Sequence, residues 1–108
     1  MIINDYITKG GKNLIKDFLS NLPIAERAYG YSIRHKIIHE GLAAFNGLDT
    51  RQLYGRLWEI KFYNNRIMYV IADKDNVYFL HACIKQKSKA EKYELDTAKK
   101  RAKELNLL

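Results

Sequence analysis

The sequence has little cysteine and proline, and it has no long apolar run. Because Cys83 is the only cysteine, the chain cannot form an internal disulfide or a zinc site built from several cysteines. No apolar stretch approaches the ~20 residues that a membrane-spanning helix needs, and the N-terminal residues become polar too early for a signal peptide. With one proline, Pro23, and no Pro/Gly-rich linker, we expect a single domain over residues 1–108, located in the cytoplasm.

Acidic residues are scarce relative to basic ones. The chain has 19 Lys and Arg against 12 Asp and Glu, which gives a formal net charge of +7. On so small a surface this excess raises the local concentration of anions and favours nucleic acid, the ribosome or an acidic protein as partner. A soluble basic domain without a polyanionic ligand is the alternative, and the net charge does not decide between the two.

The first half of the sequence predicts a strand and two helices. Residues 1–8 are rich in Ile and Tyr and predict a strand. Residues 14–22 and 24–42 carry apolar side chains at helical spacing, with Pro23 between the two stretches and Gly41 as a stop signal for the second helix. The apolar stripe predicted for the second helix contains Ile24, Ala28, Tyr31, His35, Ile38 and Leu42. Two helices joined this closely predict a helical hairpin.

The second half predicts three consecutive strands and a final helix. Residues 57–62 alternate apolar and charged side chains, and residues 66–72 and 77–84 are apolar with aromatic and β-branched members. The short turns between them favour an antiparallel meander. A narrow apolar stripe over 87–105 predicts the last helix, so the whole order is that of an α+β domain.

The predicted hairpin places two cations on one face of the sheet. If Asn64-Asn65 forms a two-residue loop, Tyr63 pairs with Arg66 and Lys61 with Met68. Lys61 and Arg66 then lie close together on rigid strands, where they can bind a phosphate or stabilise charge that develops on one. The alternative is an ordinary solvated sheet face with a Glu59–Lys61 pair.

A basic run between the last strand and the last helix is the second candidate feature. Residues 84–89 contain Lys85 and Lys87 and start the helix, where cations oppose the helix dipole. This local conflict points to function, and a solvated linker is the alternative. Tyr93 lies near the run and could stack on a base, although packing at the helix interface explains it as well.

The three histidines and the cysteine give weaker signals. His35 and His39 have a spacing that can chelate a metal, but no third ligand is evident, which favours packed or hydrogen-bonded histidines. His81 is either a structural residue or a general acid or base. Cys83 is interpreted as a small core residue, because no partner that would orient a Cys/His pair is evident.

Taken in order, five segments of the chain resemble the RelE/ParE toxin superfamily, and within it the phage-derived HigB-like toxins of type II toxin–antitoxin systems. These segments are Phe18–Pro23, Leu53–Lys61, Arg66–Tyr69, Val77–Lys85 and Ala98–Arg101. The resemblance covers nearly the whole chain. It implies a RelE-like fold, in which an N-terminal helical hairpin packs on a twisted, mainly antiparallel sheet and a C-terminal helix follows.

The resemblance also implies an activity and partners. It implies a ribosome-dependent endoribonuclease that cleaves mRNA without a metal or other cofactor, and a cognate antitoxin that is usually a helix-turn-helix DNA-binding protein. Operator DNA would be contacted only through that antitoxin, and no membrane is involved. A ParE-like inhibitor of DNA gyrase and a basic nucleic-acid-binding accessory domain are the alternatives.

Site residues carry over from the family position by position. Lys61 matches the basic position on the second strand of the family, Arg66 the arginine that opens the third, and Lys85 the first lysine of a frequent Lys-Lys pair. The sequence departs from the family at the second lysine of that pair, which is Gln86, although Lys87 follows. Tyr93 aligns with a site tyrosine only across a gap. The implied catalytic set is Lys61, Arg66, Lys85, Lys87 and Tyr93.

Overall fold

The computed structural model describes residues 1–85, 87 and 89–108, and Gln86 and Ser88 of the predicted basic run lie outside the described residues. Within those ranges the chain forms three α-helices, one 3-10 helix and five strands, which confirms the predicted α+β class. In chain order the elements are β1 (Ile2–Asp5), α1 (Leu14–Ser20), α2 (Ile24–Glu40), the 3-10 helix (Gly41–Gly47), β2 (Asp49–Tyr54), β3 (Leu57–Phe62), β4 (Asn65–Asp73), β5 (Asn76–Ile84) and α3 (Lys89–Glu104).

Helices α1 and α2 form the predicted hairpin, and local signals set their ends. The side-chain oxygen of Asn13 accepts a hydrogen bond of 3.0 Å from the backbone N–H of Lys16 and so caps α1. Pro23 occupies the N-cap of α2, where a missing N–H leaves no helical carbonyl unpaired. Gly41 ends α2 at a φ of +67°, a conformation that glycine adopts without steric cost.

The buried face of α2 differs from the predicted one. Ile24 of the predicted apolar stripe is 77% exposed, and Tyr31, Ile38 and Leu42 are also exposed. The face that packs on the sheet contains the buried residues Gly30, Ile33, Arg34 and Ile37. The predicted stripe therefore lies on the solvent side of α2 and forms an exposed apolar surface.

Gly30 explains why this face was selected. A β-carbon at Gly30 would lie 2.7 Å from Leu19 Cδ2 and 3.4 Å from ring atoms of Phe62. The missing side chain lets α2 approach α1 and the sheet closely, which brings Ile33 and Ile37 into the core. The number of apolar residues favours the other stripe, because the apolar pattern of the sequence does not reveal this close approach.

A buried ion pair joins α2 to β1. Arg34 Nη1 and Nη2 lie 2.7 Å and 2.8 Å from the two carboxylate oxygens of Asp5. The Asn13 side chain donates a further hydrogen bond of 3.0 Å to the same carboxylate. Because both charged side chains are at most 10% exposed, their bidentate pairing offsets the cost of removing them from water.

The sheet has one strand more than the sequence predicts. Its order is β1-β5-β4-β3-β2, with β1 parallel to β5 and the other neighbours antiparallel, so the predicted mainly antiparallel sheet is confirmed. The additional strand is β2, an edge strand with a mostly exposed burial pattern. Its residues Asp49–Tyr54 are largely polar, so they carry no hydrophobic alternation from which a strand could be recognised.

The β3–β4 turn lies one position earlier than predicted. Phe62 pairs with Asn65, and the loop is Tyr63-Asn64, with Tyr63 at a φ of +52°. Asn65 belongs to β4 because its buried side chain donates a hydrogen bond of 2.8 Å to Glu26 Oε1. The loop keeps two residues, so the faces of the strands are unchanged, but Arg66 now pairs with Lys61 and not with Tyr63.

Both faces of the sheet are covered by helices. One face packs against α1 and α2 through a core that includes Ile15, Ile37, Ile60 and Phe79. The other packs against α3 through a second cluster formed by Leu57, Met68, Val70, Leu80, Ala98, Ala102 and Leu107. Every helix in the described ranges is too short or too polar to cross a lipid bilayer.

Candidate active site

The register of the sheet places charged residues in two neighbouring rows on the face that α3 covers. Residues paired directly across strands share a face. The first row, from β2 to β5, is Asp49, Lys61, Arg66 and Cys83. The second row is Arg51, Glu59, Met68 and His81. The predicted solvated face is therefore a partly covered surface on which acidic and basic side chains alternate.

A cleft of about 420 Å³ opens between these rows and the first turns of α3. The sheet contributes Arg51 and Arg66 to its wall, Lys85 follows the end of β5, and α3 contributes Glu91 and Glu94. The two halves of α3 therefore have different roles. The half that follows Leu95 packs on the sheet, and the earlier half forms a wall of the cleft.

Glu59 holds two arginines at the floor of the cleft. Its Oε2 lies 3.0 Å from Arg51 Nη2 and 3.6 Å from Arg66 Nε, and its side chain is 3% exposed. Among the described residues, this oxygen has no partner with hydrogen-bond geometry. The expected Glu59–Lys61 pair does not form, since Lys61 Nζ lies 3.9 Å from Asp49 Oδ1 instead.

A hydrogen-bonded chain ties α3 to β5 beside the cleft. Arg101 Nη1 donates to the carbonyl oxygen of Leu80 at 2.9 Å and to His81 Nδ1 at 3.1 Å. Because a guanidinium only donates, Nδ1 is the acceptor, and Nε2 therefore carries the hydrogen that points to the Glu94 carboxylate. Burial lowers the pKa of His81 and outweighs the Glu94 carboxylate, which acts in the opposite direction, so the ring is neutral near pH 7.

Cys83 shares the Glu94 carboxylate with His81. Burial raises the pKa of the Cys83 thiol to about 12, and a hydrogen bond to Glu94 contributes. Ligand atoms of His81, Cys83 and Glu94 all lie within 4.8 Å of one another. A cation there would have to displace the hydrogen on Nε2 and the Cys83 thiol proton, and the Arg101 guanidinium bonded to His81 would repel it, which disfavours a metal at this cluster.

Comparison with known families now identifies the chain. A family profile described as phage-derived protein Gp49-like (DUF891) matches residues 17–103. The chain belongs to this Gp49-like family. The family is associated with RelE-like toxins of toxin–antitoxin systems. A search of curated proteins found no match.

The match to the Gp49-like family covers every element around the cleft. It begins within α1 and ends within α3, so it includes both charged rows of the sheet and the residues of the hydrogen-bonded chain. Of the elements, only β1 lies wholly before it. The toxin-superfamily resemblance is thus supported at the level of the family, and the HigB-like branch stays a prediction.

The structure separates the five predicted site residues into two groups. Arg66 and Lys85 line the cleft, and Lys61 pairs with Arg66 at its edge. Lys87 is exposed beyond the end of β5, and Tyr93 is 69% exposed on α3, outside the residues that line the cleft. The catalytic roles of all five remain predictions.

Sequence reasoning missed several charged residues of the cleft, among them Arg51 and Glu94. Arg51 was overlooked because it lies in the polar edge strand β2. Glu94 is one of many charged residues in α3, and nothing in its spacing marks it. The only available signal was His81, whose place in an apolar strand implied that α3 had to supply a hydrogen-bond partner.

Proposed function

We propose that this protein is the toxin of a toxin–antitoxin system and acts as a ribosome-dependent, metal-independent endoribonuclease that cleaves mRNA. The observation that carries the proposal is the convergence of Arg51, Arg66 and Lys85 on one cleft, with Lys61 directly beside Arg66. Such a group of cations, of which Arg51, Lys61 and Arg66 lie on strands, suits a phosphate. An inhibitor that binds gyrase would have no need for it.

The chemistry follows from the cations. The RNA 2′-hydroxyl attacks the adjacent phosphorus, the bond from phosphorus to O5′ breaks, and the products are a cyclic phosphate and a 5′-hydroxyl. Negative charge builds on the phosphate oxygens in the transition state. Arg66, Lys85 and Lys61 stabilise this charge, and the pairing of Lys61 with Arg66 sets the positions of these two residues before the reaction begins.

The requirement for the ribosome follows from what the cleft has to do. An open cleft on a small domain provides few contacts to align the 2′-oxygen, phosphorus and O5′ of a flexible RNA strand. A ribosome that holds the mRNA in a fixed conformation supplies this alignment. In well-oriented reactions, such alignment lowers the activation barrier by roughly 7–11 kcal/mol. Naked RNA should therefore be a poor substrate.

The proposed partner is an antitoxin that covers the exposed apolar surface of α2. Ile24, Tyr31, Ile38 and Leu42 provide that surface, and the net charge of +7 favours an acidic protein. A helix-turn-helix DNA-binding protein fits this role and would connect the complex to operator DNA. An antitoxin in this position blocks entry to the ribosome without filling the cleft.

The test is translation in a purified system in which mRNA ends are mapped. Wild-type protein should cleave mRNA only when ribosomes are engaged, and treating the protein with a chelator of divalent metals before it is added to the ribosomes should not change the cut sites. Lys85→Ala should reduce cleavage, whereas Lys12→Ala, an equal loss of charge at an exposed position remote from the cleft, should not.

Two results would redirect the proposal. Intact mRNA together with inhibited gyrase supercoiling would support the gyrase inhibitor instead. Cleavage of naked RNA at the same rate would remove the ribosome from the mechanism. In cells, co-expression of the protein from the neighbouring reading frame should relieve growth arrest if that protein is the antitoxin.

A further inference from the structure

We infer that Glu94 is the general base of the proposed cleavage and that His81, fixed by Arg101, is its positioning residue. The inference rests on the proposed function and adds the proton acceptor that the group of cations lacks. It arises from a comparison of the three carboxylates that line the cleft, Glu59, Glu91 and Glu94.

Two of these carboxylates are engaged by arginine. Glu59 is 3% exposed and lies against Arg51 and Arg66, so it is buried below the surface that a substrate reaches. Glu91 is 55% exposed, and its Oε1 lies 3.6 Å from Arg51 Nη2. Both carboxylates are therefore already paired with a guanidinium.

Glu94 is held by a neutral donor instead. Its carboxylate accepts a hydrogen bond from His81 Nε2, and the Cys83 sulfur lies within 4.8 Å of it. Within the part of the chain that the structure describes, no Lys or Arg nitrogen lies within 4 Å of it. A neutral donor orients the carboxylate without pairing its charge.

The hydrogen-bonded chain behind Glu94 fixes the carboxylate and leaves it able to accept a proton. Arg101 is anchored on the Leu80 carbonyl and on His81 Nδ1, which fixes the ring and its tautomer. A carboxylate has about four lone-pair sites, so the hydrogen bond from His81 leaves others free to face the cleft. The Glu94 side chain is 18% exposed, so it is accessible from the cleft and still partly shielded from water.

The proton and bond changes balance with this assignment. The Glu94 carboxylate takes the proton of the 2′-hydroxyl as the 2′-oxygen bonds to phosphorus. The P–O5′ bond breaks, and O5′ receives a proton from the ammonium group of Lys85 or from water. Glu94 then returns its proton to solvent and Lys85 regains one, so that no metal, oxidant or other reactant is consumed.

The test is single-turnover cleavage of mRNA on programmed ribosomes over a range of pH. Glu94→Gln should lower the rate by roughly 100-fold or more, in the range that general bases contribute. For wild type, the rate should rise with pH on the acidic side of the profile, which we call the acid limb. Glu94→Gln should remove this limb. The matched control is Glu104→Gln, which removes an exposed carboxylate of the same helix outside the residues that line the cleft and should stay within about threefold of wild type.

Two further variants separate chemistry from folding. Circular dichroism and urea titration check that each variant folds. Glu94→Asp keeps a carboxylate at this site and should retain the acid limb at a reduced rate. His81→Asn should lower the rate less than Glu94→Gln and should also retain the limb, because the base is still present but is no longer oriented.

The outcomes distinguish this inference from the proposed function. If wild-type protein leaves ribosome-bound mRNA intact, the proposed function fails, and the inference fails with it. If wild type cleaves and Glu94→Gln keeps the rate or the acid limb, Glu94 is not the base, although the proposed function stands. The same conclusion follows if Glu94→Asp and Glu94→Gln lose equal activity and both keep the limb.

Discussion

Replacing Arg66 with alanine separates a role in chemistry from a role in folding. From the sequence alone, Arg66 is expected to be an exposed strand residue whose loss costs little stability, and the structure contradicts this. Its side chain is 12% exposed, and its Nε lies 3.6 Å from the buried Glu59 carboxylate. The substitution therefore leaves Glu59 with one guanidinium neighbour, Arg51, in place of two.

The expected cost follows from this geometry. A buried charge that loses its partner costs ~3–5 kcal/mol. Because Arg51 stays 3.0 Å from Glu59, we expect a smaller loss of about 1–3 kcal/mol for Arg66→Ala. Domains of this kind have roughly 5–15 kcal/mol of stability, so the variant should remain folded. Loss of the transition-state contact should lower the cleavage rate by roughly 100- to 1,000-fold.

The measurement is a double-mutant cycle with Glu59→Gln. Urea titration of wild type, both single variants and the double variant gives the four free energies of unfolding. The double variant should regain part of the stability that Arg66→Ala loses, because no charged carboxylate is left underneath, while its cleavage rate should stay low. A double variant that regains both stability and cleavage would show that Arg66 acts only in folding.

Three further predictions concern the buried polar groups. Arg34→Ala leaves the Asp5 carboxylate buried without its partner and should lower the free energy of unfolding by ~3–5 kcal/mol in urea titration, and a loss below about 1 kcal/mol would contradict the burial of this pair. Because the pKa of Cys83 is raised to about 12, a thiol reagent at about pH 8 should label the native protein far more slowly than the urea-unfolded one, and equal rates would disprove this. The pKa of His81 is lowered, so the unfolded chain binds more protons and stability should fall as the pH drops below about 6.5. His81→Asn should reduce this dependence, and an unchanged slope between the two proteins would argue against a buried neutral ring.

The sequence was informative where local periodicity and burial agree. The alternation of β3 and the apolar runs of β4 and β5 predicted strands that the structure contains. The positions of Pro23 and Gly41 predicted the ends of α2. Lys61 and Arg66 were expected on one face of a hairpin and are direct cross-strand partners.

The errors arose where long-range packing outweighs local pattern. Helix α2 has two candidate apolar faces, and the close approach at Gly30 decides between them. The turn moved by one residue because Asn65 finds a buried partner in Glu26, a contact across 39 positions of sequence. Arg51 and Glu94 belong to the cleft through pairing and docking, and neither has a local signature.

The parallel pairing of β1 with β5 has a consequence for how the protein is made. Ile2 to Asp5 pair with Asn76 to Phe79, so the first strand to be synthesised has no neighbour until most of the chain has followed. The wall of the cleft comes later still, with Glu94 and Arg101 in α3. The sheet is complete only after these distant contacts form, so the protein cannot finish folding until most of the chain has been synthesised. A nascent chain thus lacks a finished cleft, and under the proposed function the ribosome that makes the protein is protected from it until the last helix is available.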